Sequence, residues 1–176
     1  MGHQLKSISK SGIPEAVAKA ELYRYINEPE EAESICRDIV AVVPDHQLAL
    51  RMLGLAITDQ FIGAAGDRYP EALSIFQSLR DPYERSYYTG LLYERRAKAQ
   101  LLVGYSAHIL LPLIEEAMGC FAEAEKIRPT GNDDSILRWN RCVRLLASRP
   151  DFYMERESAA LEAEDSPPAH RLGRHH

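Results

Sequence analysis

Apolar residues recur along most of the chain with the three- and four-residue spacing of an α-helix, and polar residues fill the positions between them. Proline, glycine, asparagine and aspartate interrupt this pattern at intervals, where helix ends are expected. The pattern therefore predicts an all-α fold. The predicted helices span about 13–26, 28–43, 46–62, 69–79, 82–103, 108–128 and 132–147, and a weaker helical stretch follows at 151–164.

Capping residues and prolines predict where individual helices begin. Asn27 is predicted to cap the second helix and Asp45 the third, because their short side chains accept hydrogen bonds from free backbone amides. Asp81 is likewise predicted to cap the fifth helix, with Pro82 in its first turn. Pro112 is expected within the first turn of the sixth helix, where its missing amide hydrogen costs nothing.

One short motif of small and apolar residues occurs three times. Its members are separated by four and then three residues, and in two of the copies a proline follows twelve residues after the first alanine. Such self-similarity is typical of repeat architectures. The copies are Ala32–Cys36–Ile39, Ala72–Phe76–Leu79 and Ala117–Phe121–Ala124.

Paired helices with a small residue in the first, an alanine in the second and a proline at the exit resemble the tetratricopeptide repeat. The resemblance implies a right-handed α-α superhelix, in which small residues let helices approach closely and aromatic residues fill the gaps. The small-residue places are occupied by Ala20, Gly54 and Gly90, and the tyrosine places three residues later by Tyr23, Ile57 and Tyr93.

The resemblance also implies a division of the chain. Three repeats are expected at about 13–46, 47–81 and 82–131, with a capping helix at 132–147, an N-terminal lead-in at 1–12, and a weak helix and disordered tail at 148–176. The distance from the small residue to the alanine is 12, 18 and 27 residues in the three units. We therefore expect elongated second and third hairpins, with the third projecting beyond the solenoid.

In this family the first helix of each hairpin lines a concave groove, so the resemblance implies a protein-binding module or scaffold without enzymatic activity. The expected ligand is a peptide or a partner helix with apolar anchors flanked by charges. Ordinary packing between hairpins is the alternative explanation of the same positions. The candidate groove residues are Val17, Glu21, Arg24, Tyr25, Arg51, Leu55, Asp59, Glu84, Tyr87, Leu91, Glu94 and Arg95.

Two other functions remain open at this point. Chaperones of type III secretion are built from three such repeats, although an extended third hairpin departs from them. An enzyme with a site between the third hairpin and the capping helix, around Arg138, Trp139 and Asn140, is the second alternative.

The composition argues against two further classes of protein, those that bind nucleic acids and those that span a membrane. The net charge of −5 argues against nucleic-acid binding, and no apolar stretch reaches the roughly 20 residues that a membrane helix needs. The N-terminus lacks the apolar core of a secretory signal, so the cytoplasm is the expected location. The partner is thus expected to be a protein or peptide, and a homodimer is left open.

Known cofactor motifs are lacking, so no cofactor is expected. The chain contains no HExxH, CxxC or glycine-rich phosphate loop. Its three cysteines are far apart and are expected to be reduced and packed. The histidines of the tail, at 170, 175 and 176, could capture a metal only loosely without a rigid second layer of ligands.

Overall fold

The computed structural model describes residues 2–62 and 68–154. These residues form seven α-helices and no strand, which confirms the all-α prediction. The helices are α1 (Ile13–Tyr25), α2 (Pro29–Val42), α3 (Gln47–Asp59), α4 (Tyr69–Gln77), α5 (Pro82–Leu102), α6 (Ala107–Lys126) and α7 (Asp134–Ser148).

Each helix packs against the next one along the chain, and most are joined by short connections. The odd-numbered helices also contact one another in the order α1, α3, α5, α7. They therefore follow one another along one side of the molecule, which we call the odd-helix face.

Contacts between glycines and aromatic rings bring paired helices close together. A Cβ atom built on Gly54 of α3 would lie 2.4 Å from Cε1 of Phe76 in α4. One built on Gly90 of α5 would lie 2.8 Å from Cε1 of Phe121 in α6. Both rings are fully buried. The expected contact of a small residue with an aromatic residue is thus confirmed for these two pairs.

The structure corrects the expected role of Asn27. Asn27 does not cap α2; it ends α1 in the left-handed conformation, with φ of 63°. The amide of Glu28 donates to the carbonyl oxygen of Tyr23 at 2.8 Å, which closes the helix in the manner of a Schellman motif. Asparagine tolerates this conformation better than most residues.

The predicted cap of α3 is wrong by one residue, and the predicted cap of α5 is confirmed. His46, and not Asp45, caps α3, and its Nδ1 accepts a hydrogen bond from the amide of Ala49 at 3.2 Å. Asp81 caps α5 as expected and accepts from the amide of Tyr83 at 2.8 Å.

Pro112 lies deeper in α6 than predicted. The helix begins at Ala107, so Pro112 is inside it and removes one hydrogen bond to the preceding turn. Leu110, Leu111 and Ile114 around it are buried, and their packing holds the helix together across the proline.

The third hairpin is long, as expected. Helices α5 and α6 have 21 and 20 residues, against 13 and 9 in α3 and α4. The expectation of an elongated second hairpin is not met in helix length, since its extra residues lie between Asp59 and Tyr69.

The core continues past the predicted end of the helical domain at residue 147. A short 3-10 turn, Pro150–Phe152, follows α7, and the ring of Phe152 is fully buried against α6 and α7. The rest of the predicted helical stretch at 151–164 and the tail to residue 176 lie outside the described residues from position 155 onward. Among the helices described, none has both the length and the apolar character required to cross a bilayer.

Candidate functional site

The predicted groove residues all belong to α1, α3 and α5, the first three helices of the odd-helix face. The structure brings most of their charged members into direct contact with one another. Most of the apolar members are buried in the core. Glu21 and Tyr25 are exposed to solvent.

Asp59 joins three helices through two arginines. Arg24 of α1 donates from Nε to Oδ2 of Asp59 at 2.8 Å, and Arg95 of α5 donates from Nη1 to Oδ1 at 2.5 Å. Arg95 also donates to Oγ1 of Thr58 at 2.6 Å. Burial lowers the pKa of Arg95, and the charge of Asp59 opposes this effect. The three side chains of the triad are 22–25% exposed, so it is only partly accessible.

A second ion pair links α3 to the beginning of α5. Arg51 donates from Nη1 to Oε1 of Glu84 at 2.7 Å, and both side chains are partly exposed. This pair and the Asp59 triad both cross between neighbouring hairpins.

Glu94 forms a third contact, between α5 and α7. Its side chain is fully buried and pairs with Lys98 on the same helix and with Nη1 of Arg138 at 3.6 Å. Burial lowers the pKa of Arg138, but a hydrogen bond with Tyr87 and the charge of Glu94 outweigh it and raise the pKa. Oε2 of Glu94 has no hydrogen-bond partner in the part of the chain that the structure describes.

These three separate groups of ion pairs lie on α1, α3, α5 and α7, and we call them together the charged ladder. Its positive and negative groups are paired with one another between helices, from α1 to α3, from α3 to α5 and from α5 to α7. The ladder consists of Arg24, Arg51, Asp59, Glu84, Glu94, Arg95 and Arg138.

The structure corrects the surface assignment of the apolar candidates. Val17, Leu55 and Leu91 are buried in the core and cannot contact a ligand without rearrangement. Tyr87 is partly buried, stacks on Tyr83 at 5.8 Å between ring centroids and contacts the ring of Phe121. Apolar side chains at helical spacing are usually core residues, and that holds here.

Glu21 and Tyr25 are the accessible members of the set. Both lie in α1, on the turn that also carries Arg24, and Tyr25 is 89% exposed. A residue of this size that is almost fully exposed offers contact area to a partner.

Sequence reasoning missed a second ion cluster, on the even-numbered helices. Arg68 donates from Nη2 to Oε1 of Glu33 in α2 at 2.5 Å, and Arg37 bridges Glu33 and Glu71 of α4. Gln60 donates to Oε2 of Glu33 at 2.7 Å. The hydrogen bond from Arg68 is the main cause that lowers the pKa of Glu33 to about 2. Two pairs in this cluster have a signal in the sequence: Glu33 and Arg37 are four residues apart, and Arg68 and Glu71 are three apart.

The cysteines are free thiols. Burial raises the pKa of Cys36 and Cys142 to about 12 and that of Cys120 to about 11, so all three are protonated at neutral pH. The described part of the chain holds no group of His, Cys, Asp and Glu side chains arranged for a metal ion. The three C-terminal histidines lie outside it.

The region named for an enzymatic site contains the Glu94–Arg138 contact. Trp139 packs against a group of buried apolar residues that includes Phe121, Cys142 and Phe152, which we call the second core cluster. Asn140 is partly buried. Cavities of about 470 and 340 Å³ lie elsewhere, along α6 near Cys120 and between α6 and α7 near Val143. Neither of them is lined by Arg138, Trp139 or Asn140.

Comparison of the chain with known protein families, with curated proteins and with solved structures found no significant match.

Proposed function

We propose that the protein is a non-enzymatic interaction module built like a tetratricopeptide-repeat solenoid, and that it binds a peptide or partner helix on the odd-helix face. The observation that supports this proposal is the series of contacts α1–α3–α5–α7, which sets the candidate residues of three hairpins and a final helix side by side. The repeated contact of glycine with phenylalanine supports the superhelix, since it recurs at matching places of the second and third hairpins.

The paired charges of the ladder suggest which distribution of charge a ligand of this face should have. The ladder's charges are already paired with one another, so a ligand gains little from one large block of charge of either sign. A segment with an apolar anchor beside Tyr25 and with single charges at the partly exposed ends of the ladder fits better. Cytoplasmic location and a protein or peptide partner are parts of the same proposal.

The test compares two double variants of the whole chain. Tyr25→Ala with Glu21→Lys changes only exposed residues of the odd-helix face, while Ile127→Ala with Glu125→Lys changes exposed residues at the end of α6. Ligands are selected from a displayed random peptide library with the wild-type chain, and their affinities are measured by calorimetry. We expect the α1 variant to weaken binding by about tenfold or more, as for loss of a central aromatic contact.

The α6 variant should bind the selected peptides as the wild type does. Equal binding by both variants, or loss in the α6 variant alone, would contradict binding on the odd-helix face. We choose Tyr25 and not Tyr87, because substitution of Tyr87 would disturb the ring stack with Tyr83.

A further inference from the structure

A separate pocket lies where the last turns of α5 pass the end of α3 and the beginning of α4. Its volume is about 150 Å³. We call it the tip pocket, because it exists only where the long third hairpin extends along its neighbour. Its walls include Phe61, Tyr69, Arg96, Ala99, Val103 and Tyr105.

The volume of the tip pocket suits a single apolar side chain. A cavity of this size in another protein accommodates one benzene molecule. Sites for complete small molecules usually measure about 300–1,000 Å³. A pocket that receives one side chain is typical of an anchor site for a partner protein.

Exposed apolar side chains extend the pocket onto the surface. Val103 and Tyr105 belong to the pocket wall and are 62% and 54% exposed. Ile62 and Leu102, next to wall residues in the sequence, are also exposed. Exposed apolar side chains in the wall of a pocket, as Val103 and Tyr105 are here, are a common feature of protein interaction sites.

Arg96 gives the pocket a positive charge that the described residues leave without a counterion. Its guanidinium carbon lies 4.0 Å from the centre of the Tyr69 ring. Its Nε atom is buried and has no hydrogen-bond partner in the described chain, and no described carboxylate forms an ion pair with it. Arg24, Arg51 and Arg95 on the odd-helix face, by contrast, are all paired with carboxylates.

We propose that the tip pocket binds a segment of a partner protein in which an aromatic or branched apolar residue is flanked by a carboxylate. The apolar side chain enters the pocket between Phe61 and Val103. The carboxylate accepts a charge-assisted hydrogen bond from Arg96, which is stronger than a neutral one. This site is distinct from the odd-helix face, so either proposal can fail while the other holds.

Three short peptides test the proposal with the full chain: acetyl-Glu-Phe-Glu-amide, acetyl-Gln-Phe-Gln-amide and acetyl-Glu-Ala-Glu-amide. Binding is followed by the NMR signals of the Val103 methyl groups and the Arg96 Nε–H group. We expect Glu-Phe-Glu to shift both signals. The neutral peptide should bind about tenfold more weakly, as for loss of a hydrogen bond to a charged group, and the alanine peptide should not saturate.

Protein variants make the test independent of the peptides. Arg96→Gln should weaken binding of Glu-Phe-Glu about tenfold, and Val103→Asp should weaken it at least as much by repelling the carboxylates. Arg144→Gln, on the exposed surface of α7, is the matched control and should bind as the wild type does. Val103 is exposed, so its variant remains informative even if Arg96→Gln lowers stability.

Four results would overturn the proposal: no binding of Glu-Phe-Glu, equal binding of the neutral peptide, full binding by Val103→Asp, or signal shifts confined to α1 and α3. Equally tight binding of 3-phenylpropionate would instead assign the pocket to small carboxylates. A wild-type dimer that Val103→Asp dissociates in sedimentation would assign it to a second copy of the chain.

Discussion

At the scale of residues, a glycine of one helix lies directly against a phenylalanine ring of the next. Phe76 touches the backbone of α3 at Gly54, and no side chain larger than hydrogen fits between them. Glycine costs a helix about 1 kcal/mol relative to alanine. The close approach of two helices compensates for this cost.

Gly54→Ala should therefore destabilise the protein by about 1–2 kcal/mol, because displacing the ring outweighs the gain in helix propensity. Gly119→Ala in α6 is the control, since a Cβ there meets nothing within 4 Å. It should stabilise the protein by up to about 1 kcal/mol. Urea unfolding followed by circular dichroism measures both values, and changes of the same sign would argue against the close fit.

At the scale of elements, the ion cluster around Glu33 links side chains of α2 to α4 and to Arg68, the residue before α4. Its carboxylate is bound by Arg37, Arg68 and Gln60. The pKa of Glu33 is lowered from 4.5 to about 2 in the folded state. The stability that this group contributes is thus complete above about pH 4.5 and is lost as the pH falls toward 2.

Glu33→Gln should lower the free energy of unfolding at pH 7 by on the order of 1–2 kcal/mol. The difference from wild type should shrink between pH 4.5 and 2, because the protonated glutamic acid and glutamine then carry the same charge. Urea titrations at several pH values measure it. Glu123→Gln, at an exposed pair with Lys126, should change stability by less than about 0.5 kcal/mol at every pH. If Glu33→Gln were less stable than the wild type by the same amount at every pH, the ionised carboxylate of Glu33 would not be the source of the stability.

Helix positions could be predicted from the sequence because apolar spacing and caps are local signals. The bounds of α1 and α2 agree with the pattern within about two residues. The charged ladder could be predicted only as a set of outward positions, since pairing depends on how neighbouring helices are placed. Asp59 illustrates this limit, because its two arginines lie 35 and 36 residues away. Arg96 and Tyr69 had no sequence signal that joins them.

At the scale of the whole molecule, the folded unit ends later than helical periodicity suggests. Phe152 follows a proline and belongs to no long amphipathic helix, so the sequence pattern does not identify it as a core residue. Its ring nevertheless completes the second cluster against α6 and α7.

Phe152→Ala should lower the free energy of unfolding by about 3 kcal/mol or more, because a large buried ring leaves a cavity. Tyr153→Ala is the control, since Tyr153 is 41% exposed. Tyr153→Ala should lower the free energy of unfolding by well under half as much as Phe152→Ala. Thermal and urea unfolding of the two variants measure the difference, and similar values for both would show that the core ends before residue 150.

The single carboxylate of Asp59 also affects how the hairpins separate. In a solenoid each unit interacts with its neighbours alone, and the ends can open independently. Here one oxygen of Asp59 serves the boundary between the first and second hairpins and the other serves the boundary between the second and third. When the first boundary opens, Arg24 leaves, but Asp59 keeps Arg95 as its partner, and the repulsion between the two arginines is relieved. Either end of the chain can therefore separate from the middle hairpin without leaving Asp59 unpaired.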